Sequence, residues 1–288
     1  MRRLIEKLYR GLPLVRELFQ IRGSIRHELS TLRMTHIMRD WEIGLADHPR
    51  YGDPLRLLRF SSQVNSQSGE DGIIHEIFRR IGTADRRFVE IGLEDGLECN
   101  TAFLLAKGWN GFWIDGSDAS QRTLAAAGIG PDRVRAVASI VTRENVAALF
   151  ESLGVPAEFD LLSIDIDQNT YYVWEALRAY RPRVAVIEYN AALPADLDWK
   201  VVYDPKRMWD GTQNFGASLK ALEILGASMG YALVGCDLAG TDAFFVRNDL
   251  VGAEFAAPFT SENHYEPVRY SLLARRGHRR GLLDAGAR

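Results

Sequence analysis

The stretch Phe88-Val89-Glu90-Ile91-Gly92-Leu93-Glu94-Asp95-Gly96 decides the fold: an apolar run enters a glycine-bearing turn, and a helical pattern follows over 99–107. A strand leading straight into such a turn and a helix opens an α/β sheet, whose ligands bind at the carboxyl ends of its strands. Gly92 and Gly96 allow close backbone approach, and the helix start offers unpaired N–H groups. Those groups alone suit a phosphate. The acids argue otherwise, because Glu90, Glu94 and Asp95 crowd the place a pyrophosphate would take. An acidic rim suits a ligand bearing an ammonium and a sulfonium, so the turn through Asn100 is expected to hold S-adenosylmethionine.

Outward from this turn, strand and helix patterns alternate. Apolar runs at 87–91, 111–114, 134–138, 160–164 and 184–187 are separated by helical patterns at 99–107, 120–127, 143–153 and 171–179. Alternation of this kind predicts a parallel sheet. After an irregular segment (193–211) come a helix over 217–229 and two β patterns, 232–235 and 243–247, joined by the turn-rich Asp237-Leu238-Ala239-Gly240-Thr241-Asp242. The expected architecture is a doubly wound, Rossmann-like α/β fold with a seven-stranded sheet and a terminal antiparallel hairpin, the element order of class I methyltransferases. In the second unit, Gly111-Phe112-Trp113-Ile114-Asp115-Gly116 ends in an acid that can accept both ribose hydroxyls of an adenosine. The same Asp115 could instead cap the next helix. Ser139, at the end of the third run, stands where adenine would lie.

The third element is Leu161-Leu162-Ser163-Ile164-Asp165-Ile166-Asp167-Gln168-Asn169. Strand alternation would put Asp165 and Asp167 on one face, toward the ligand crevice. Glu188 and Asn190 leave the neighbouring fifth run, so four oxygen donors are expected at one mouth. Such a cluster can share a proton, act as a general base for a hydroxyl, or hold a hard cation such as Mg or Mn through Asp165, Asp167 and Glu188. Any one of these acids could also merely cap a helix. His75 is a further candidate base or a helix-packing side chain, and Ser68 with Asp71 reads as a helix cap. Trp199, Tyr203 and Trp209-Asp210-Gly211-Thr212 offer aromatic faces and polar groups suited to a sugar ring, or simply fasten their loop.

The segments Ser66-Gln67-Ser68-Gly69-Glu70-Asp71-Gly72, 88–100, 163–169 and Ile187-Glu188-Tyr189-Asn190 resemble the FkbM-like methyltransferases over roughly Gln63 to Arg247. Two positions depart from the pattern: Glu94 replaces a common middle glycine, and Gln168 replaces the glycine after the second acid. The resemblance implies S-adenosylmethionine-dependent O-methylation of a sugar, glycan or small natural product. An alternative takes Asp165-Ile166-Asp167 as the DxD metal site of a nucleotide-sugar glycosyltransferase. A second alternative is a non-catalytic member that binds cofactor without turnover.

Composition narrows the setting. The chain has 288 residues, a formal net charge of -3 and a sequence pI near 6.1, with no global pull toward nucleic acid. Two cysteines without metal-ligand spacing fit a reducing compartment. No signal peptide or membrane-spanning run is expected. The domain reading is a basic amphipathic helical extension over 1–60, a cofactor-binding domain over 61–250 and a basic tail over 251–288. The extension carries Leu4, Ile5, Leu8, Leu14, Val15, Leu18, Ile25, Leu29 and Leu32 at helical spacing among nine basic residues. It would pack on the main domain, on a partner subunit in a homo-oligomer, or peripherally on an anionic membrane. The expected location is the cytoplasm, with contact at the inner membrane face if those helices bind lipid.

Overall fold

The computed structural model describes residues 48–270 and 280–283 without a break, together with 18, 21–26, 28–30, 32, 33, 36 and 44. Contacts divide the chain into one unit spanning Met1–Arg50 and another spanning Tyr51–Arg288. In the first, positions 18, 21–26, 28–30, 32, 33 and 36 are helical. Leu4, Ile5, Leu8, Leu14 and Val15 lie outside the described residues, as do Arg275, Arg276 and Arg279 of the tail.

The second unit is a seven-stranded sheet flanked by helices. Its strands are β1 (Arg87–Ile91), β2 (Asn110–Asp115), β3 (Val134–Ala138), β4 (Glu158–Ile164), β5 (Arg181–Glu188), β6 (Tyr231–Cys236) and β7 (Asp242–Arg247). The main helices are α1 (Glu70–Ile81), α2 (Ala102–Ala106), α3 (Ala119–Ala126), α4 (Val146–Leu153), α5 (Thr170–Ala176) and α6 (Leu219–Ser228). Strand order is β3-β2-β1-β4-β5-β7-β6. The first five strands are parallel, and β7 inserts antiparallel between β5 and β6. The order reverses between β1 and β4, which opens the crevice where such sheets bind ligands.

The residues explain the elements. β4 and β5 read as near-continuous apolar runs because helices cover both faces of a parallel sheet; Leu161, Ile164, Val184, Ala185, Val186 and Ile187 are all fully buried. The strands extend past the apolar runs to Glu158 and Arg181, since backbone pairing continues where side chains reach water. α2 starts at Ala102 rather than Cys99, because the preceding backbone is held in a loop by Glu90. The unit takes in residues on both sides of the 61–250 span. Arg80 donates to the carbonyls of Leu55 and Pro54 and to that of Glu254. The Tyr51 hydroxyl donates to Glu266, at 2.9 Å.

Candidate functional site

The turn after β1 has the expected shape, with reasons that lie largely in the protein itself. Gly92 has φ +76°, and a Cβ there would come within 1.7 Å of the Asp165 carbonyl. A Cβ on Gly96 (φ +75°) would strike the Trp113 ring. Glycine is thus required at both places, by the turn after β4 and by the Trp113 ring of β2. Glu94 takes φ +51°, a left-handed conformation that glycine adopts without strain. The Asp115 carboxylate reaches across from β2, accepting from the N–H groups of Leu93 (3.1 Å), Glu94 (2.9 Å) and Ser117 (2.8 Å). It remains half-buried beside the exposed Gly116, and the Ser139 N–H donates to its carbonyl. Asp95 is exposed and closes a tight turn by accepting from Leu97 N–H.

Glu90 corrects the expectation of a continuous acidic rim. Its carboxylate turns inward and is used up by the start of α2. Oε1 accepts from Asn100 N–H at 2.8 Å, and Oε2 accepts from the Thr101 N–H and hydroxyl. Burial pushes its pKa up to about 7, outweighing these donors. Asn100 is likewise internal, donating to Ser163 Oγ and Asp242 Oδ2. The Glu90 carboxylate is thus satisfied internally, because a loop entering a helix inside the sheet edge must satisfy its own N–H groups first.

The acids after β4 converge by another route than strand alternation. β4 ends at Ile164, so Asp165 and Asp167 stand in a turn, and Asp167 takes φ +57°. That turn brings Asp165, Asp167 and Glu188 together, each with a carboxylate oxygen within 4.8 Å of the others. Water reaches Asp165 through the open side of the mouth. Protein packed on its remaining sides raises its pKa to about 6. Burial, and then the charges of Asp165 and Asp167, push Glu188 well above the carboxylate range. The hydrogen bond between Asp165 and Glu188 lowers the first pKa and raises the second, so the two titrate as a pair. The Thr170 hydroxyl adds a hydrogen bond to Glu188 Oε2 at 3.2 Å. Asn190 does not join the cluster. Its amide donates to the carbonyls of Gln213 and Phe215 and its oxygen accepts from Ala192, so it fastens a loop instead.

Three further acids crowd the same edge, and sequence reasoning did not assign them to it. Asp242 stands directly across the β5–β7 ladder from Glu188. Burial and the charges of Glu70, Asp165 and Asp237 raise it well above its ordinary value. Asp237 is raised to about 6 by burial and then by Glu70. Ser68 Oγ lies in hydrogen-bond reach of Glu70, of Asp237 Oδ2 and of Thr241 Oγ1. The available signal was Asp237 and Asp242 flanking a hairpin turn. A turn that must sit at the carboxyl edge brings its acids there.

Tyr270 was also missed. Residues 264–269 are stapled to the exits of β5 and β6: Tyr189 OH donates to Glu266 O, Tyr265 OH to Ala191 O, and Arg269 N–H to Ala239 O. Tyr270 follows directly. Tyr270 is 43% exposed overall, and its phenol is raised by burial and then by the charges of Glu188, Asp237, Asp165 and Asp167. The other candidates serve elsewhere. Ser68 does not cap α1, whose N-cap is Gly69. Asp71 Oδ2 instead gathers the N–H groups of Val64, Asn65 and Ser66. His75 is exposed and contacts Lys107 Nζ at 3.1 Å. The Tyr203 hydroxyl donates to Glu144, and Arg143 covers its ring. Trp199 N–H donates to Ser218 Oγ, and the Trp209 indole donates to Thr212 O. Gln168 and Asn169 tether that irregular loop by donating to Asn214 O and Asp204 O.

No family model matches the chain, and no curated protein matches it. Among solved structures it is similar to the N-terminal domain of EvdMO1, crystallised with SAH and D-fucose. That match has 13% identity and a TM-score of 0.40, over 62% of this chain and 82% of the other. It is also similar to NcsB1, an O-methyltransferase from neocarzinostatin biosynthesis in complex with S-adenosylmethionine and 2-hydroxy-5-methyl naphthoic acid (14%, TM-score 0.36, 81% of this chain and 61% of that one). A third is M. capricolum TrmK with S-adenosyl-homocysteine (10%, TM-score 0.36, 60% and 65%).

Proposed function

We propose that the chain is a class I S-adenosylmethionine-dependent methyltransferase acting on a hydroxyl of a sugar, glycan or small natural product. The observation that carries this reading is the convergence of Asp165, Asp167 and Glu188 beside the β1–β4 switch point. The neighbouring charges that raise these three carboxyls are all negative, so the mouth is built to receive positive charge. The sheet order with its reversed last hairpin is that of class I methyltransferases, which supports the same reading. The β1 turn with Asp115, Gly116 and Ser139 would take the adenosine side. The acids over β4, β5 and β7 would face the sulfonium and the acceptor.

Bound S-adenosylmethionine supplies an electrophilic methyl group and leaves as the neutral thioether. The chain's part is to align an acceptor oxygen with that methyl and to take the hydroxyl proton. Asp167, half-buried at the rim, is the base nearest the acceptor, and Asp165 stands closer to the donor. Glu188, hydrogen-bonded to Asp165, keeps that carboxylate in place. The same three carboxylates fit a hard divalent cation such as Mg or Mn, which would lower the pKa of a bound hydroxyl.

Isothermal titration with S-adenosylhomocysteine, with and without Mn, tests the donor site. Transfer of labelled methyl to a panel of glycans and phenols tests the chemistry. Micromolar binding of S-adenosylhomocysteine together with transfer to an oxygen is expected. Binding of a nucleotide sugar in its place would move the assignment to a glycosyltransferase. Cofactor binding with no transfer to any acceptor would leave a non-catalytic protein.

A further inference from the structure

The methyl-transfer reading makes no use of the N-terminal segment. Leu18, Ile21, Ile25, Leu29 and Leu32, all at helical positions, are each 50 to 60% exposed. Their spacing places them within about 80° of one another around a helix. Arg22, Arg26 and Arg33 fall in a single band along one flank of that stripe. The first 39 residues hold 9 basic and 3 acidic side chains, against 26 and 35 in the remainder. A strongly basic segment thus belongs to an acidic chain.

Two such segments repel each other, which disfavours self-association through this helix. The acidic remainder of a second copy would answer the arginines, and that pairing would show as self-association. A surface that offers hydrocarbon beside negative charge answers both. No helix among the described residues is long and apolar enough to cross a membrane, so the geometry suits a segment lying in the plane of the surface. We propose that this segment binds the anionic face of a lipid bilayer, with Leu18, Ile21, Ile25, Leu29 and Leu32 in the acyl boundary and Arg22, Arg26 and Arg33 among the headgroups. The inference does not depend on the methyl-transfer reading.

The full chain is floated with vesicles of phosphatidylcholine mixed with phosphatidylglycerol, and with phosphatidylcholine alone. Binding to the mixed vesicles only, weakened by salt, is expected. Replacing three arginines (R22Q/R26Q/R33Q) is expected to weaken it on the order of a hundredfold, and I25D/L29D to abolish it. Both variants should keep the parent's circular dichroism and unfolding midpoint. Equal binding to neutral vesicles, unchanged binding of the arginine variant, or no binding to either vesicle overturns the proposal. So does a dimer in sedimentation velocity that I25D/L29D dissolves while no vesicles are bound.

Discussion

Burial raises the pKa of both Glu90 and Asp165, yet the two acids do different work. Glu90 spends its oxygens on backbone donors and thereby sets the start of α2. Asp165 keeps an open side to water and a hydrogen-bonded carboxyl neighbour in Glu188. Replacing Asp167 by Asn should cost roughly 10²–10⁴ in methyl-transfer rate while leaving S-adenosylhomocysteine affinity within a few-fold, since the base is lost and the donor pocket is kept. Asp165→Asn should weaken donor binding as well. Calorimetry run beside a rate assay separates the two, and equal rates for D167N and parent would remove Asp167 as the base. Gly92→Ala adds a Cβ against the Asp165 carbonyl in a left-handed conformation. It should destabilise by about 3 kcal/mol or more in chemical denaturation.

At the scale of elements, the site is a meeting of turns. The 165–170 turn supplies the acids, and through Gln168 and Asn169 it also holds the irregular loop. Asn169 is the N-cap of α5 without a side-chain cap bond, so its amide is free to serve the loop. Asn169→Ala should therefore cost about 1 kcal/mol and speed hydrogen exchange at 204–214, with α5 unchanged. Exchange rising in α5 instead would assign Asn169 to the helix. Tyr270 rides on a segment pinned to the exits of β5 and β6, on the side of β1 opposite to Asp115 and β2. Its phenol should thus meet the acceptor and not the donor. Tyr270→Phe is expected to raise the acceptor KM several-fold with kcat and S-adenosylhomocysteine affinity little changed; steady-state kinetics on an acceptor found in the panel checks this.

Across the whole molecule, the carboxylates whose pKa burial raises make stability depend on pH. For Glu90, with an ordinary value of 4.5 raised to about 7, the contribution is fully present below about 4.5 and is lost as pH rises through about 7. The same sign holds for Asp237, raised to about 6. The unfolding midpoint should fall between pH 5 and pH 8, the Glu90 share being roughly 3 kcal/mol. Glu90→Gln should lower stability near neutral pH, because its amide opposes an N–H donor, but it should flatten the pH slope. A midpoint that rises over this range would show that these acids ionise more readily in the fold than in the unfolded chain.

The element succession was legible because it is written locally. Apolar runs of strand length, glycine turns and 3.6-residue patterns reflect what each segment must bury, and they carry through to seven strands with a reversed hairpin. The acids of the mouth were legible for a related reason, since Asp165, Asp167 and Glu188 sit where apolar strands end. What each acid faces was not local. Whether Glu90 looks into the crevice or into α2 depends on the path of 97–101. Whether Asp165 and Asp167 meet depends on a left-handed residue after the strand has already ended. Asp237, Asp242, Glu70 and Tyr270 reach the same edge only because β7 inserts beside β5 and residues 264–269 fold back over the exits. Sequence by itself determined the kinds of element and the chemistry available to them. Tertiary structure decided which carboxylates share a proton, because pKa and reach follow from burial and neighbours that lie far apart along the chain.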